Sequence, residues 1–185
     1  MLKVILVRHG ESTANAEQRY VGQKDCPLTE LGKMQAQRLA LRLKKENLSV
    51  IYSSDLKRAK ETAHIIAEKA GIERIIEEPL LREINFGEWE GLTYDEIGSK
   101  WEKLRNEWIS DPLNISPPGG ETLIQLQKRS VEAFLKITKK HDSGTLALVC
   151  HAGPIRCILC SFRKLPLKSF WDIAIQPGEA ITIHL

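Results

Sequence analysis

The run Val4-Ile5-Leu6-Val7, followed at once by Arg8-His9-Gly10-Glu11, constrains this chain more than any other stretch. Four apolar, largely β-branched residues without polar alternation read as a fully buried strand, and the strand stops on a cation, an imidazole and a glycine. In open α/β sheets the ligand crevice lies beyond the carboxyl ends of the strands. Arg8 and His9 are therefore expected at its lip, with Gly10 letting the backbone turn and approach a ligand closely. A strand that ends in polar residues because it reaches water is the competing reading, and one short motif does not decide between the two.

A second stretch repeats the pattern. Thr145-Leu146-Ala147-Leu148-Val149-Cys150 reads as a buried strand that stops on His151-Ala152-Gly153-Pro154, and Pro154 suits the first turn of a helix over Ile155 to Phe162. Between these strands, Thr29 is a plausible N-cap for a helix whose apolar stripe is Leu31, Met34, Leu39 and Leu43. Ser49 to Ser54 is a second strand. Asp55 to Ala70 is a second long helix, capped near Ser53 to Asp55, with Ala59, Ala63, Ile66 and Ala67 toward the sheet. Arg74 to Glu78 is a short strand, Glu121 to about Lys140 a helix with Leu123, Leu126, Val131, Phe134, Leu135 and Ile137 as its apolar set, Pro166 to Trp171 a short helix, and Ala180 to Leu185 a last strand. This order predicts an α/β fold with a mainly parallel sheet covered on both faces. At 185 residues, a single domain over 1–185 is expected.

One segment interrupts the alternation. A helix from Tyr94 to Trp108 carries Ile97, Trp101, Leu104 and Trp108, and the breaker-rich loop Asp111 to Gly120 follows it. Residues 88–122 are expected to form a small helical cap over the crevice. Trp89, Trp101 and Trp108 are either core of that cap or include one ring that faces the organic part of a substrate.

The charged residues narrow the chemistry. The net charge is only +3, and the basic residues Lys33, Arg38, Arg42, Lys44 and Lys45 are interspersed on helices, so nucleic acid is not an expected partner. Any bound anion is expected to be small. Arg58 sits in a helical first turn, where the dipole favours negative charge, so it is either an ordinary exposed arginine or the neighbour of a bound anion. Ser12, Thr13 and Asn15 are placed to cap a helix or to donate to an anion. Glu83, framed by Leu80, Leu81, Ile84 and Phe86, is a candidate general acid, because apolar burial raises a carboxyl pKa. Glu88 and Glu90 read as surface residues. The N-terminal apolar run is far shorter than a signal-peptide core or the roughly 20 residues that cross a bilayer, so a cytoplasmic location without membrane contact is expected. Cys157-x-x-Cys160, near Cys150 and His151, admits a zinc or redox reading. Yet Cys157 falls inside an apolar helix instead of at its start, which favours buried structural thiols over a reactive pair. His64, His141 and His184 have no comparable context and read as exposed or structural.

Two histidines, two arginines and a carboxylic acid on turns match what phosphoryl transfer from a monoester needs: a nucleophile, cations around the equatorial oxygens, and an acid for the leaving oxygen. His9 would attack with a neutral ring nitrogen, Arg8, Arg58 and protonated His151 would hold the oxygens, and Glu83 would protonate the leaving group. A phosphate-binding scaffold without turnover is the non-enzyme alternative.

Arg8-His9-Gly10-Glu11, Asn15, Leu28-Thr29-Glu30-Leu31-Gly32, Ser53-Ser54 with Arg58-Ala59 and Thr62-Ala63, and His151-Ala152-Gly153 together resemble the histidine phosphatase superfamily, also called the phosphoglycerate mutase-like family. The resemblance covers nearly the whole chain in order. It implies a three-layer α/β/α sandwich, a metal-independent and cofactor-free enzyme, and a phosphohistidine on His9. It also implies a phosphate pocket of Arg8, Asn15, Arg58 and His151, Glu83 as proton donor, and substrate contacts at Val21, Gly22 and Ala152. The run Leu81 to Gly91, with Asp111-Pro112 and Pro118-Gly119-Gly120-Glu121, is similar to the α-ribazole phosphatases of cobalamin assembly. α-Ribazole 5′-phosphate is therefore the expected substrate, with sugar phosphates or phosphoserine as the alternative. Mutases of the family have a longer insert before the second histidine, which lowers that reading here. The expected partner is a small phosphorylated metabolite; a homodimer is left open.

Overall fold

Val4, Ile5, Leu6 and Val7 are all buried, and their side chains leave the strand in alternation toward two separate cores. Val4 and Leu6 pack on one side with Ala133, Phe134, Ile155 and Ile158. Ile5 and Val7 pack on the other with Leu39, Ala59, Ala63 and Ile66. A strand with helices on both faces has no solvent side, which is why its sequence lacks polar alternation.

The computed structural model describes residues 1–185. In chain order the elements are β1 (Leu2–Arg8), a single helical turn α1 (Thr13–Ala16), α2 (Glu30–Leu43), β2 (Leu48–Ser53), α3 (Lys57–Ala70), β3 (Ile75–Glu77), α4 (Tyr94–Ser110), α5 (Leu123–Thr138), β4 (Gly144–Cys150), α6 (Ala152–Phe162) and β5 (Ala180–His184). The five strands form one sheet in the order β3-β2-β4-β1-β5, with β5 antiparallel to β1 and every other pairing parallel. Helices α2 and α3 cover one face and α5 and α6 the other, which makes the three-layer α/β/α sandwich expected from the sequence. No helix is long and apolar enough to cross a membrane.

Several local expectations change. Thr29 does cap α2, its hydroxyl accepting from the Gly32 amide at 3.0 Å. The buried face of that helix matches half of the expected stripe: Leu39 and Leu43 are buried, but Leu31 and Met34 are each 49% exposed, and Gly32, Ala36 and Ala40 are buried in their place. The reason is steric: Ala36 and Ala40 of α2 and Ala59, Ala63 and Ala67 of α3 are small enough for closely approaching layers, so the larger Leu31 and Met34 turn outward. Helix α3 begins at Lys57 without a side-chain cap, later than expected. In α5, Leu135 is exposed while Ser130 and Ala133 are buried. The segment 167–172 is a 3-10 helix.

Gly10 also has a different purpose from the one expected. A Cβ there would lie 2.2 Å from the Gly32 carbonyl oxygen, so its missing side chain admits the backbone of α2 instead of a ligand. Around α4, Trp89, Ile97 and Trp108 are buried in a cluster of their own with Tyr20, Phe86, Leu92, Trp101 and Leu104, apart from the two sheet cores. Trp89 is thus a core residue, whereas Trp108, also buried, has an edge on a small cavity. Helix α4 is kinked at Trp101, whose backbone leaves the helical region (φ −136°, ψ 43°).

Candidate active site

Strands β1 and β4 are parallel neighbours, and Arg8 is paired with Cys150 in the ladder. Each strand is followed at once by a histidine, so register alone brings His9 and His151 together. The His9 amide donates to the Cys150 carbonyl at 3.0 Å. The two imidazoles meet edge to face with centroids 5.0 Å apart. On the other side of β4 the Ser54 amide donates to the Val149 carbonyl, and Ser54 Oγ lies 2.9 Å from His151 Nε2.

The tautomer of His9 follows from its contacts. Nδ1 lies 2.6 Å from the Gly10 carbonyl, which can only accept, so Nδ1 carries the proton and Nε2 holds the lone pair. Arg58 Nε donates to that Nε2 at 3.3 Å. Arg58 is only 1% exposed, although it is an arginine in a helical first turn. Its guanidinium nitrogens donate to the Gly22 carbonyl at 2.7 Å and the Lys24 carbonyl at 3.0 Å, and no carboxylate pairs with it. Arg8 likewise donates to the Ile175 carbonyl at 2.7 Å, forms no ion pair, and has a buried Nε without a partner. Two buried or part-buried cations anchored on carbonyls leave their charge for an anion.

Glu83 departs from its expected setting. It is partly exposed, and one carboxylate oxygen accepts from the backbone amides of Ile84 at 2.9 Å and Gly153 at 3.1 Å. Gly153 belongs to the first turn of α6, so the carboxylate is held by a helix N-terminus and not by an apolar frame. A Cβ at Gly153 would lie 2.1 Å from the carboxylate oxygen, and glycine is what admits this contact. Behind it, Arg129 donates to the carbonyls of Leu80, Arg82 and Glu83 at 2.6–2.9 Å while paired with Glu121. Sequence reasoning missed Arg129, because nothing local marks an arginine of an amphipathic helix as the clamp on a remote loop.

A cavity of about 250 Å³ is lined by Arg8, His9, Asn15, Val21, Gly22, Arg58 and Glu83. Gln18, Arg19, Tyr20 and Phe86 complete it, and none of these four was singled out from the sequence. Asn15 Oδ1 is committed to the Ser12 amide and hydroxyl in the cap of α1, which leaves its amide nitrogen for the cavity. Ala152 does not line this cavity; it borders a smaller adjacent one of about 70 Å³, which also includes Glu83 and Phe86. His151 is fully buried behind His9, with Nδ1 lacking any partner. Glu90 is not a free surface residue, since it accepts from the amides of Gln23 and Phe86 and fixes the 20–23 loop against the cap segment. A wider groove of about 670 Å³ along α5 shares no residue with these cavities and contains neither histidine nor arginine. Cys150, Cys157 and Cys160 are buried, and desolvation pushes all three thiols upward, against thiolate chemistry. His141 meets the Tyr52 hydroxyl at 3.0 Å, a structural contact.

Burial, then the Arg58 charge, holds both His9 and His151 well below the ordinary histidine pKa. The expected protonated His151 is therefore neutral until an anion offsets the arginines. This has a consequence for folding. In the unfolded chain both rings titrate near 6.5; above that value neither state binds the protons. Below it the unfolded chain takes up protons that the folded pocket refuses, so the stability these groups contribute is present above pH 6.5 and lost on acidification. The loss is at most about 1.4 kcal/mol per pH unit for each histidine. Urea unfolding at pH 7, 6 and 5 measures it, and a His9→Ala protein with an undiminished acid slope would count against the assignment.

The chain is similar to known phosphatases in sequence and in fold. A phosphoserine phosphatase of Hydrogenobacter thermophilus, phosphoserine phosphatase 1, is 38% identical over 186 residues, covering 100% of this chain and 87% of that protein. A metal-independent phosphoserine phosphatase of Arabidopsis thaliana is 41% identical over 158 residues, covering 84% of this chain and 66% of that protein. Among solved structures, YhfR of Bacillus stearothermophilus superposes with a TM-score of 0.92 at 33% identity, covering 100% of this chain and 92% of that one. The α-ribazole phosphatase of Shigella flexneri also superposes at 0.92, but at 24% identity, over 99% of this chain and 90% of that one, a likeness of fold. The profile of the histidine phosphatase superfamily (branch 1) matches residues 4–185, and the chain belongs to that superfamily.

Proposed function

We propose that this phosphatase hydrolyses a small phosphomonoester through a phosphohistidine on His9, without a metal or other cofactor, and that phosphoserine is the nearest model for its substrate. The observation that carries the chemistry is the His9 contact pair: Nδ1 donates to the Gly10 carbonyl, so Nε2, which Arg58 Nε meets at 3.3 Å, keeps the lone pair for attack, in a cavity lined by two arginines without carboxylate partners. Arg8, Arg58 and the Asn15 amide hold the phosphoryl oxygens, with His151 packed behind His9 at the same site. Nε2 attacks phosphorus in line with the bridging oxygen as Glu83 gives that oxygen its proton. The resulting Glu83 carboxylate then takes a proton from the water that hydrolyses the phosphohistidine, which releases phosphate and restores the acid.

Phosphoserine is favoured over α-ribazole 5′-phosphate by the names of two relatives, one of them matched along the whole of this chain. A cytosolic location goes with such a metabolite. Phosphate release from phosphoserine, α-ribazole 5′-phosphate and an aryl phosphate, with chelator present, tests the reading. Turnover insensitive to chelator, with phosphoserine preferred by kcat/KM, is the expected outcome. Loss of activity on chelation would remove the metal-free mechanism.

A further inference from the structure

The phosphate cavity and the smaller cavity beside it share Glu83 and Phe86. A leaving oxygen protonated by Glu83 lies at the junction with the second cavity, whose walls include Phe86, Trp108, Phe170 and Trp171. Arg156 is the one cation there. It projects from an otherwise apolar helix, α6, and its guanidinium lies over the Phe170 and Trp171 rings at 5.2 and 5.7 Å from their centroids. Nε donates to the Ile173 carbonyl at 2.9 Å, two residues from the Ile175 carbonyl that holds Arg8. Its two terminal nitrogens have no hydrogen-bond partner in the chain, and no carboxylate is paired with it. A half-buried, stacked guanidinium with an unused fork matches a planar anion.

Charge decides which anion. A phosphate dianion is balanced by Arg8 and Arg58. When Glu83 holds the proton for the leaving oxygen it is neutral, and Arg156 is then the one charge lining the second cavity, without a counter-charge there. One negative charge fits that remainder, whereas a second phosphate group would bring two. The second cavity, about 70 Å³, opens directly off the phosphate cavity at Glu83 and Phe86, so the Arg156 fork faces a group carried close to the leaving oxygen. We propose that Arg156 is the specificity-determining residue of this enzyme, binding a carboxylate on a short leaving alcohol, so that the substrate is the phosphate ester of a small hydroxy acid. The inference rests on the phosphohistidine reading above.

The test measures kcat/KM for two matched pairs: O-phosphoserine against O-phosphoethanolamine, and 3-phosphoglycerate against glycerol 3-phosphate. Wild type, R156Q and R156K are compared, with α-ribazole 5′-phosphate, a sugar bisphosphate and an aryl phosphate alongside. Wild type is expected to favour the carboxylated member of each pair by about 10- to 100-fold, the worth of a charge-assisted hydrogen-bonded pair. R156Q is expected to bring that ratio toward one through a rise in KM for the carboxylated ester, and R156K to restore part of it. Equal losses on both members overturn the inference, because a structural or phosphate-binding role acts on both alike. A wild-type ratio near one, a preference for α-ribazole 5′-phosphate, or an Arg156 dependence greatest for the bisphosphate overturns it too. If wild type releases no phosphate even from the aryl ester, the phosphatase reading alone fails. Calorimetric titration of O-phosphoserine and O-phosphoethanolamine into H9A and H9A/R156Q proteins then yields the ratio from binding and decides the carboxylate inference by itself.

Discussion

His9→Ala is expected to lower kcat for every phosphomonoester by about 10⁴- to 10⁶-fold, the scale on which removing a covalent nucleophile acts. The size follows from the site's division of labour. Arg8, Arg58 and Asn15 would still gather a phosphate, but no other imidazole lines the cavity: His151 is fully buried behind His9. Binding is therefore expected to survive where turnover does not, with a Kd for inorganic phosphate within a few-fold of wild type. The fold is expected to survive as well. His9 is buried, but its amide, not its ring, makes the link to Cys150, and the alanine keeps that link. A change of about 1–2 kcal/mol in unfolding free energy is the ordinary scale for such a truncation. Single-turnover phosphate release and urea unfolding check both halves; near-normal release by a folded His9→Ala protein would remove His9 from the mechanism.

Glu83→Gln carries the second largest effect, about 10²- to 10⁴-fold in kcat, the usual reach of general acid–base catalysis. The substitution is close to isosteric, and the glutamine oxygen can still accept from the Ile84 and Gly153 amides that orient the carboxylate. What is lost is the proton. An alkyl phosphate such as phosphoserine, whose alkoxide is a poor leaving group, is expected to suffer the full loss, and an aryl phosphate, which leaves as a stable phenolate, much less. The second step also needs Glu83, as base toward water. A phosphorylated enzyme is thus expected to accumulate when the variant meets the aryl ester, visible as a burst of phenol release before a slow steady state. Equal losses on alkyl and aryl esters, without a burst, would show that Glu83 acts on the phosphate or on the structure instead of on the leaving oxygen.

The buried strands were legible because a run such as Val4 to Val7 is apolar whatever its neighbours are, and a strand between two helical layers needs no other mark. The stop on Arg8-His9-Gly10 and on His151-Ala152-Gly153 was legible for the same reason: it breaks an apolar run. Helix faces were legible only in part. Counting the largest apolar residues selected Leu31 and Met34, whereas the packing of α2 against α3 buries alanines, because what a helix hides depends on the shape of its partner. The alternatives for Arg58 could not be separated locally either. Its burial depends on the carbonyls of Gly22 and Lys24, which belong to a loop far away in the chain.

The layered α/β class, the two histidine turns and the inventory of charged groups can be read along the chain, since each depends on short-range patterns of apolarity, turn chemistry and residue type. How those groups meet depends on packing between distant segments. Parallel pairing of β1 with β4 sets His9 against His151, the N-terminus of α6 takes the Glu83 carboxylate, and Arg156 reaches the cavity beside it. These are distances between remote segments, fixed by strand register and by the packing of helices on the sheet, and no local pattern encodes them.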